Sequence, residues 1–237
     1  MEDNARAYHI NEPVFVRTKK KFNFGKLAYE RYVKAVFINE RIIELPFVIQ
    51  GLASLKRGAA VLDVGCMESL LPMQLAGLGY HVTGLDFRKY PFFFPGLDLV
   101  QADATKMPLV DRSFDAVTCV SMIEHVGLGH YQDPCHHPDA DADVVREFER
   151  VLKPGGLLLL SVPFGVLTTG VVQRTYDAAR LKKALGAFLV EEKRYYIQRR
   201  DQQHLNDFWQ ECDEPEASGV QAVDKTACVC LIKARKP

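Results

Sequence analysis

Apolar positions along the chain follow two rhythms. In residues 26–45, Tyr29, Tyr32, Val33, Val36, Ile38, Ile42 and Leu45 recur at helical spacing until Pro46 interrupts them, which predicts a helix ahead of any strand. Beyond it, short apolar runs alternate with amphipathic segments. Ala60–Val64 reads as a buried strand ending at Gly65, and residues 68–78 as a helix with Pro72 in its first turn and Gly79 as its stop. Residues 81–86, 97–102 and 114–120 predict three more strands. Val144, Val145, Phe148, Val151 and Leu152 form one helical stripe closed by Lys153-Pro-Gly-Gly156. Residues 157–162, apolar but for one serine, predict a fifth strand covered on both faces. Asp177 as cap and Gly186 as stop bracket a helix to Leu185, and residues 188–197 and 227–233 predict two last strands. The polar stretch 198–225, with the single Trp209, reads as an insertion. Strands alternating with helices predict an α/β fold with a doubly wound, mostly parallel, seven-stranded sheet. Residues 1–55 would form an arm and helix covering a cleft, and residues 56–237 the domain itself.

Composition narrows the class. The 237 residues carry 30 Lys+Arg against 30 Asp+Glu and are 48% hydrophobic, which suits one ordinary globular domain with an appendage. At 26.7 kDa, folding buries roughly 72% of the unfolded chain's surface, so staples are not needed. The six cysteines include no Cys-x-x-Cys pair, and with no secretory signal they are expected as reduced thiols of a cytoplasmic protein. The longest apolar stretch, 156–172, contains Pro163, Gly165 and Gly170, which argues against a membrane-spanning helix. Zero net charge disfavours a broad nucleic-acid footprint. The basic run at residues 17–21 reads as a solvated arm.

In an open parallel sheet, ligands bind beyond the carboxyl ends of the strands where strand order reverses. The first three predicted strands end in Asp63-Val-Gly65, in Asp86, and in Asp103-Ala104. An acid 23 residues past Asp63 suits two ribose hydroxyls, and an acid after the third strand can accept from an exocyclic amine. The full Gly-x-Gly-x-x-Gly cradle is missing, which discriminates against a dinucleotide.

Together with Met107-Pro-Leu, Ser113-Phe-Asp115, Met122-Ile-Glu-His-Val126 and Val151-Leu-Lys-Pro-Gly-Gly156, these residues resemble the class I S-adenosylmethionine-dependent methyltransferases, in that family's order over about 100 residues. The resemblance implies S-adenosyl-L-methionine as cofactor. It places Asp63 by the ammonium group, Gly65 at the close backbone approach with Cys66 and Met67 following, Asp86 and Phe87 by the ribose, Asp103 and Ala104 by the adenine edge, and Ser121 by the sulfonium. The family's second and third loop glycines are Met67 and Ser69 here, which weakens the site if those positions need positive φ and leaves it intact if the loop takes another path.

Methyl transfer from a sulfonium is an in-line displacement, so the protein mainly aligns the acceptor and removes its proton. His125 is the first candidate base and His130 the second, with Glu124 as orienter. A structural His125 bonded to a backbone carbonyl is the competing reading. Some family members hold magnesium with Glu-x-x-Glu-His; here Ser121 replaces the first carboxylate, and no metal is expected. His136 and His137 read as a surface loop, and Cys228 and Cys230 as a packing pattern. The stretch Phe37-Ile-Asn-Glu-Arg41 is similar to bacterial members found among polysaccharide and glycan biosynthesis proteins, with Asn39 and Arg41 facing the cleft. The expected activity is methylation of oxygen or nitrogen on a small molecule or sugar precursor. An RNA or protein methyltransferase, or a degenerate cofactor-binding partner, are the alternatives.

Overall fold

The computed structural model describes residues 39–130, 137–200 and 207–237, together with the backbone of a short antiparallel hairpin, Arg6–His9 against Val14–Arg17. Residues 18–38 of the expected basic run and helix, and also Cys135 and His136, lie outside the described residues.

Eight strands form the main sheet. They are β1 (Ala60–Val64), β2 (His81–Asp86), β3 (Leu97–Gln101), β4 (Phe114–Val120), β5 (Leu152–Pro163), β6 (Leu189–Arg200), β7 (Asp207–Cys212) and β8 (Cys228–Arg235). Their spatial order is β7-β6-β8-β5-β4-β1-β2-β3. The pairs β3/β2, β2/β1, β1/β4 and β4/β5 are parallel, and β5/β8, β8/β6 and β6/β7 antiparallel. The chain runs from β1 outward to β3, then crosses back to place β4 on the other side of β1. That reversal opens a crevice over the carboxyl ends of β1 and β4.

Alternate residues of the central strands feed two cores. Leu62, Val117, Leu158 and Leu160 pack with Val144, Val145, Phe148 and Val151 of helix α3 (Ala140–Val151) and with Leu181 and Leu185 of α4 (Ala178–Leu185). On the opposite face, Val61, Ala116, Leu157 and Leu159 pack with Phe47, Val48 and Leu52 of α1 (Arg41–Leu52) and with Leu71 and Leu75 of α2 (Leu71–Gly77). Burial on both faces explains why these strands read as unbroken apolar runs. Among the described residues no helix is long and apolar enough to cross a membrane.

Four expectations change. Helix α1 continues through Pro46 to Leu52 instead of ending at the proline. One backbone bond is lost there, and burial of Phe47, Val48 and Leu52 against the sheet offsets it. Helix α2 begins at Leu71, not residue 68, because residues 66–69 form a turn, with the Ser69 amide on the Cys66 carbonyl, and Ser69 Oγ accepts from the Leu71 amide. Strand β5 starts at Leu152 and takes the Lys153–Gly156 turn into a bulge. The polar stretch 198–225 supplies an eighth strand, β7, which pairs with β6 at Tyr195–Arg200, so the sheet is wider than the seven strands expected.

Candidate functional site

A cleft of about 320 Å³ lies over the ends of β1, β2 and β4. Asp63, Gly65, Asp86, Phe87, Asp103, Ala104 and Ser121 line it, as do Glu124, His125, Asn39 and Arg41. Cys66 and Met67 are not among the described lining residues. Cys66 is buried beneath the β1–β2 layer, its thiol pushed up by burial, and Met67 takes part through its backbone. His130 is exposed and lies outside the lining, close enough that its charge still acts on His125. His137 faces Asp143 at 2.7 Å, beyond the lining too.

The three strand-end acids occupy different environments. Asp63, the fourth residue of β1, is 3% exposed and accepts the Thr118 hydroxyl at 2.6 Å. Burial raises its carboxyl to about 7, with the Thr118 bond and Arg41 pulling the other way. Asp86 ends β2. Its Oδ2 accepts the Met67 amide at 3.0 Å, and its Oδ1 accepts the Arg88 amide at 2.9 Å and Arg88 Nε at 3.3 Å. Arg88 is held in turn by Glu68 at 2.7 Å. Each carboxylate oxygen has two acceptor sites, so Oδ2 keeps capacity for a ligand hydroxyl. Asp103 Oδ1 accepts both the amide and the hydroxyl of Thr105 at 2.8 Å, an Asx-type turn that presents the loop after β3 to the cleft.

Gly65 has φ of 82°, and a Cβ there would overlap the Met122 side chain, so glycine is required by both backbone and space. Non-glycine residues with positive φ among those described are Arg112, Ser121 and Asp224. Met67 and Ser69 are therefore unstrained: the loop takes a path on which glycine is not demanded, and the Met67 amide is spent on Asp86.

Ser121, immediately after β4, sits at φ of 44°, a conformation costing roughly 1 kcal/mol for a side-chain-bearing residue. Its amide bonds Ser161 Oγ at 3.0 Å, and its hydroxyl donates to Glu44 Oε1 at 2.5 Å, where Ser161 also donates at 2.7 Å. Glu44 is fully buried, and its Oε2 takes Arg41 at 2.5 Å. Sequence reasoning missed Glu44 because its position on α1 reads as a polar helix residue. The only signal was its spacing of three from Arg41, the i,i+3 geometry that lets the two side chains meet. Burial works against the charge of Arg41, and Glu44, Glu40 and Glu124 outweigh it. A cation from α1 thus stands within an acidic cleft.

The second wall is a short 3-10 turn, Ile123–His125. Glu124 is 1% exposed, its Oε2 has no hydrogen-bond partner among the described residues, and burial raises its carboxyl to about 8. Glu124 Oε1 lies 3.8 Å from His125 Nε2. His125 Nδ1 is 2.7 Å from the carbonyl oxygen of Val172, and burial lowers the ring's pKa despite that contact. A carbonyl only accepts, so Nδ1 carries the proton and Nε2 the lone pair of the neutral ring. Both readings of His125 therefore meet in one residue: it bonds a backbone carbonyl, and it lines the cleft. Val172, Gln173 and Thr226 complete the wall, contributed by segments in which no sequence pattern singled out a site residue.

Comparison with known proteins fits this geometry. Residues 62–160 match the family described as Methyltransferase domain. The ubiquinone biosynthesis O-methyltransferase of Xanthomonas oryzae pv. oryzae is 40% identical over 114 residues, 44% of this chain and 43% of that protein, and its Pseudomonas aeruginosa counterpart is 33% identical over 117 residues, 44% of each. The chain thus aligns with less than half the length of these curated relatives. Similar solved structures include a SAM-dependent methyltransferase from Methanosarcina mazei (TM-score 0.55, 16% identity, covering 85% of this chain and 99% of that one). Another is the 1,6-didemethyltoxoflavin-N1-methyltransferase of Burkholderia thailandensis with bound S-adenosylhomocysteine (TM-score 0.51, 17% identity, 90% and 82%). The cyclase SpnF shares the architecture as well (TM-score 0.55, 18% identity, 81% and 80%), so the fold by itself does not define a reaction. Together the strand order and these likenesses give the chain a doubly wound α/β fold like that of the class I S-adenosylmethionine-dependent methyltransferases, with the segment 62–160, which carries the strand-end acids, similar to the family described as Methyltransferase domain.

Proposed function

We propose that the protein transfers a methyl group from S-adenosylmethionine to a hydroxyl oxygen of a small molecule in the cytoplasm. When bound, the cofactor supplies an electrophilic methyl group. Three features of the cleft fit it. Its volume is in the range of small-molecule sites, its acids stand at successive strand ends, and Gly65 keeps the turn after β1 free of a side chain. Asp63 would take the ammonium group, Asp86 the ribose hydroxyls, and Asp103 with the Ala104 amide the adenine edge. Arg41, the cation that α1 brings into the cleft, suits the cofactor's carboxylate.

The observation carrying the acceptor side is the 2.7 Å contact between His125 Nδ1 and the Val172 carbonyl oxygen. With Nδ1 committed to Val172, the lone pair is at Nε2, beside Glu124 on the cleft wall, where it can receive a hydroxyl proton as the oxygen attacks. Glu124, held largely protonated by burial, can keep Oε2 for the acceptor or for the imidazolium once formed. Names of the relatives at 33–40% identity point to oxygen as the acceptor atom, and they belong to ubiquinone biosynthesis, not to glycans. A sugar precursor remains the second reading, because the cleft's carboxylates suit polyols.

Turnover of candidate phenols and sugars by wild type and His125→Ala tests the base. A loss of about 10²- to 10⁴-fold in kcat, with little change in cofactor affinity, is the expected result. Full turnover by the variant would remove His125 from the chemistry.

A further inference from the structure

We propose that Asp224 is a positioning residue: by fixing the loop 170–173 it determines that His125 presents Nε2, not Nδ1, to the acceptor. The functional weight of this rests on the reading of His125 as the base.

Asp224 lies in the polar stretch that the sheet and the cleft lining leave unexplained. It is exposed and adopts a φ of 51°, and its carboxylate gathers three successive backbone amides from a segment more than fifty residues earlier. The Val172 amide donates to Oδ1 at 2.6 Å, the Gln173 amide to Oδ1 at 3.2 Å, and the Val171 amide to Oδ2 at 3.1 Å. Bonds from neutral amides to a carboxylate are charge-assisted, and consecutive N–H groups converging on one anion fix the backbone that carries them. Gly170 belongs to the same construction. Its amide closes the turn on the Gln173 carbonyl at 3.0 Å, and a Cβ at residue 170 would overlap the Asp224 carboxylate.

The residue held most tightly by Asp224 is the one that matters for the site. Val172 gives its amide to Asp224 and its carbonyl to His125 Nδ1 at 2.7 Å. The other neutral tautomer would set the Nδ1 lone pair against the carbonyl oxygen. One residue past Gln173, Arg174 is 1% exposed and donates through NH1 to the carbonyl of Val126, so the loop also grips the far side of the turn that bears Glu124 and His125. Thr226, two residues after Asp224, receives Gln173 Nε2 at 3.4 Å. The whole wall is tied together from the Asp224 side.

Long-range ¹⁵N–¹H NMR of the full chain labelled with ¹⁵N-histidine, with His125→Ala assigning the signal, reads the tautomer without any acceptor. In wild type the Nδ1–H form of His125 should dominate. Asp224→Gly removes the carboxylate and tolerates the left-handed backbone; Gly170→Ala displaces the carboxylate from the other side. Both should make the Nε2–H form the major or an equal species. Asp224→Asn, which keeps an acceptor for the Val172 and Gln173 amides and tolerates positive φ, should retain the wild-type signature. Dominant Nδ1–H in both Asp224→Gly and Gly170→Ala, or a change in Asp224→Asn as large as in Asp224→Gly, overturns the proposal. Calorimetry of wild type with S-adenosylmethionine reports separately on the methyltransferase reading, so failure of one is told apart from failure of the other.

Discussion

Raising the pH from 6 to 8 should tighten S-adenosylmethionine binding about tenfold through Asp63. The ligand's ammonium group is stabilised by a carboxylate and not by a carboxylic acid, and burial lifts this carboxyl to about 7. At pH 6 about one molecule in eleven then has Asp63 ionised, and at pH 8 about ten in eleven, a ratio of about ten or about 1.4 kcal/mol of apparent binding free energy. Asp63→Asn is the control: its amide oxygen can still accept the Thr118 hydroxyl, which now donates at 2.6 Å, while the side chain stays neutral at every pH. Any titration of the ligand itself appears equally in both proteins and cancels in the ratio of their affinities. Calorimetric titrations of both proteins at pH 6, 7 and 8 are the assay. Parallel pH dependences in wild type and Asp63→Asn would refute the assignment of Asp63 to the ammonium group.

Two more outcomes concern stability. The raised Glu124 carboxyl means that the folded protein holds a proton the unfolded chain has already released between its ordinary value of 4.5 and about 8, so stability falls as pH rises through that window. From pH 7 to 8, above the Asp63 midpoint, Glu124→Gln should abolish a loss of up to about 1.4 kcal/mol, read as a flatter dependence of the apo protein's melting temperature. Asp141 is 1% exposed and accepts the Tyr176 hydroxyl at 2.8 Å and Arg180 NH2 at 2.8 Å, joining α3 to α4. Asp141→Ala takes the acceptor from the Tyr176 hydroxyl and leaves Arg180 with the Pro138 carbonyl and the more distant Asp139, and should cost about 2 kcal/mol, or roughly 4–8 °C in Tm by scanning calorimetry.

The central sheet was legible because its strands are covered on both faces: Ala60–Val64 and Phe114–Val120 stand out as apolar runs whatever their neighbours do. The edge was not. Strand β7 holds Phe208 and Trp209 among polar residues, and it becomes a strand only because β6 offers Tyr195–Arg200 for pairing. Pro46 gave a helix stop on local grounds, while the packing that carries α1 past it is tertiary. The same division runs through the cleft. Asp63, Asp86 and Asp103 were readable because each stands at a fixed offset from a strand end. Glu44, Val172 and Asp224 reach the wall from distant segments, by contacts with Ser121, with His125 and with residues 171–173, and no periodicity encodes such a meeting. His130 shows the converse: five residues past His125 and near enough for its charge to act on that ring, it is exposed and is not part of the lining.

Cofactor binding is the claim on which the rest depends, and Asp86 is where it is most exposed to test. Calorimetric titration of the wild-type chain with S-adenosylmethionine and S-adenosylhomocysteine should give dissociation constants in the micromolar range. Asp86→Ala, which removes the carboxylate that orders the Met67 and Arg88 amides and would meet the ribose, should weaken both by about 10²-fold or more, two charge-assisted hydrogen bonds' worth. A folded wild-type chain that binds neither ligand, or an Asp86→Ala variant that binds both as tightly as wild type, would contradict the account.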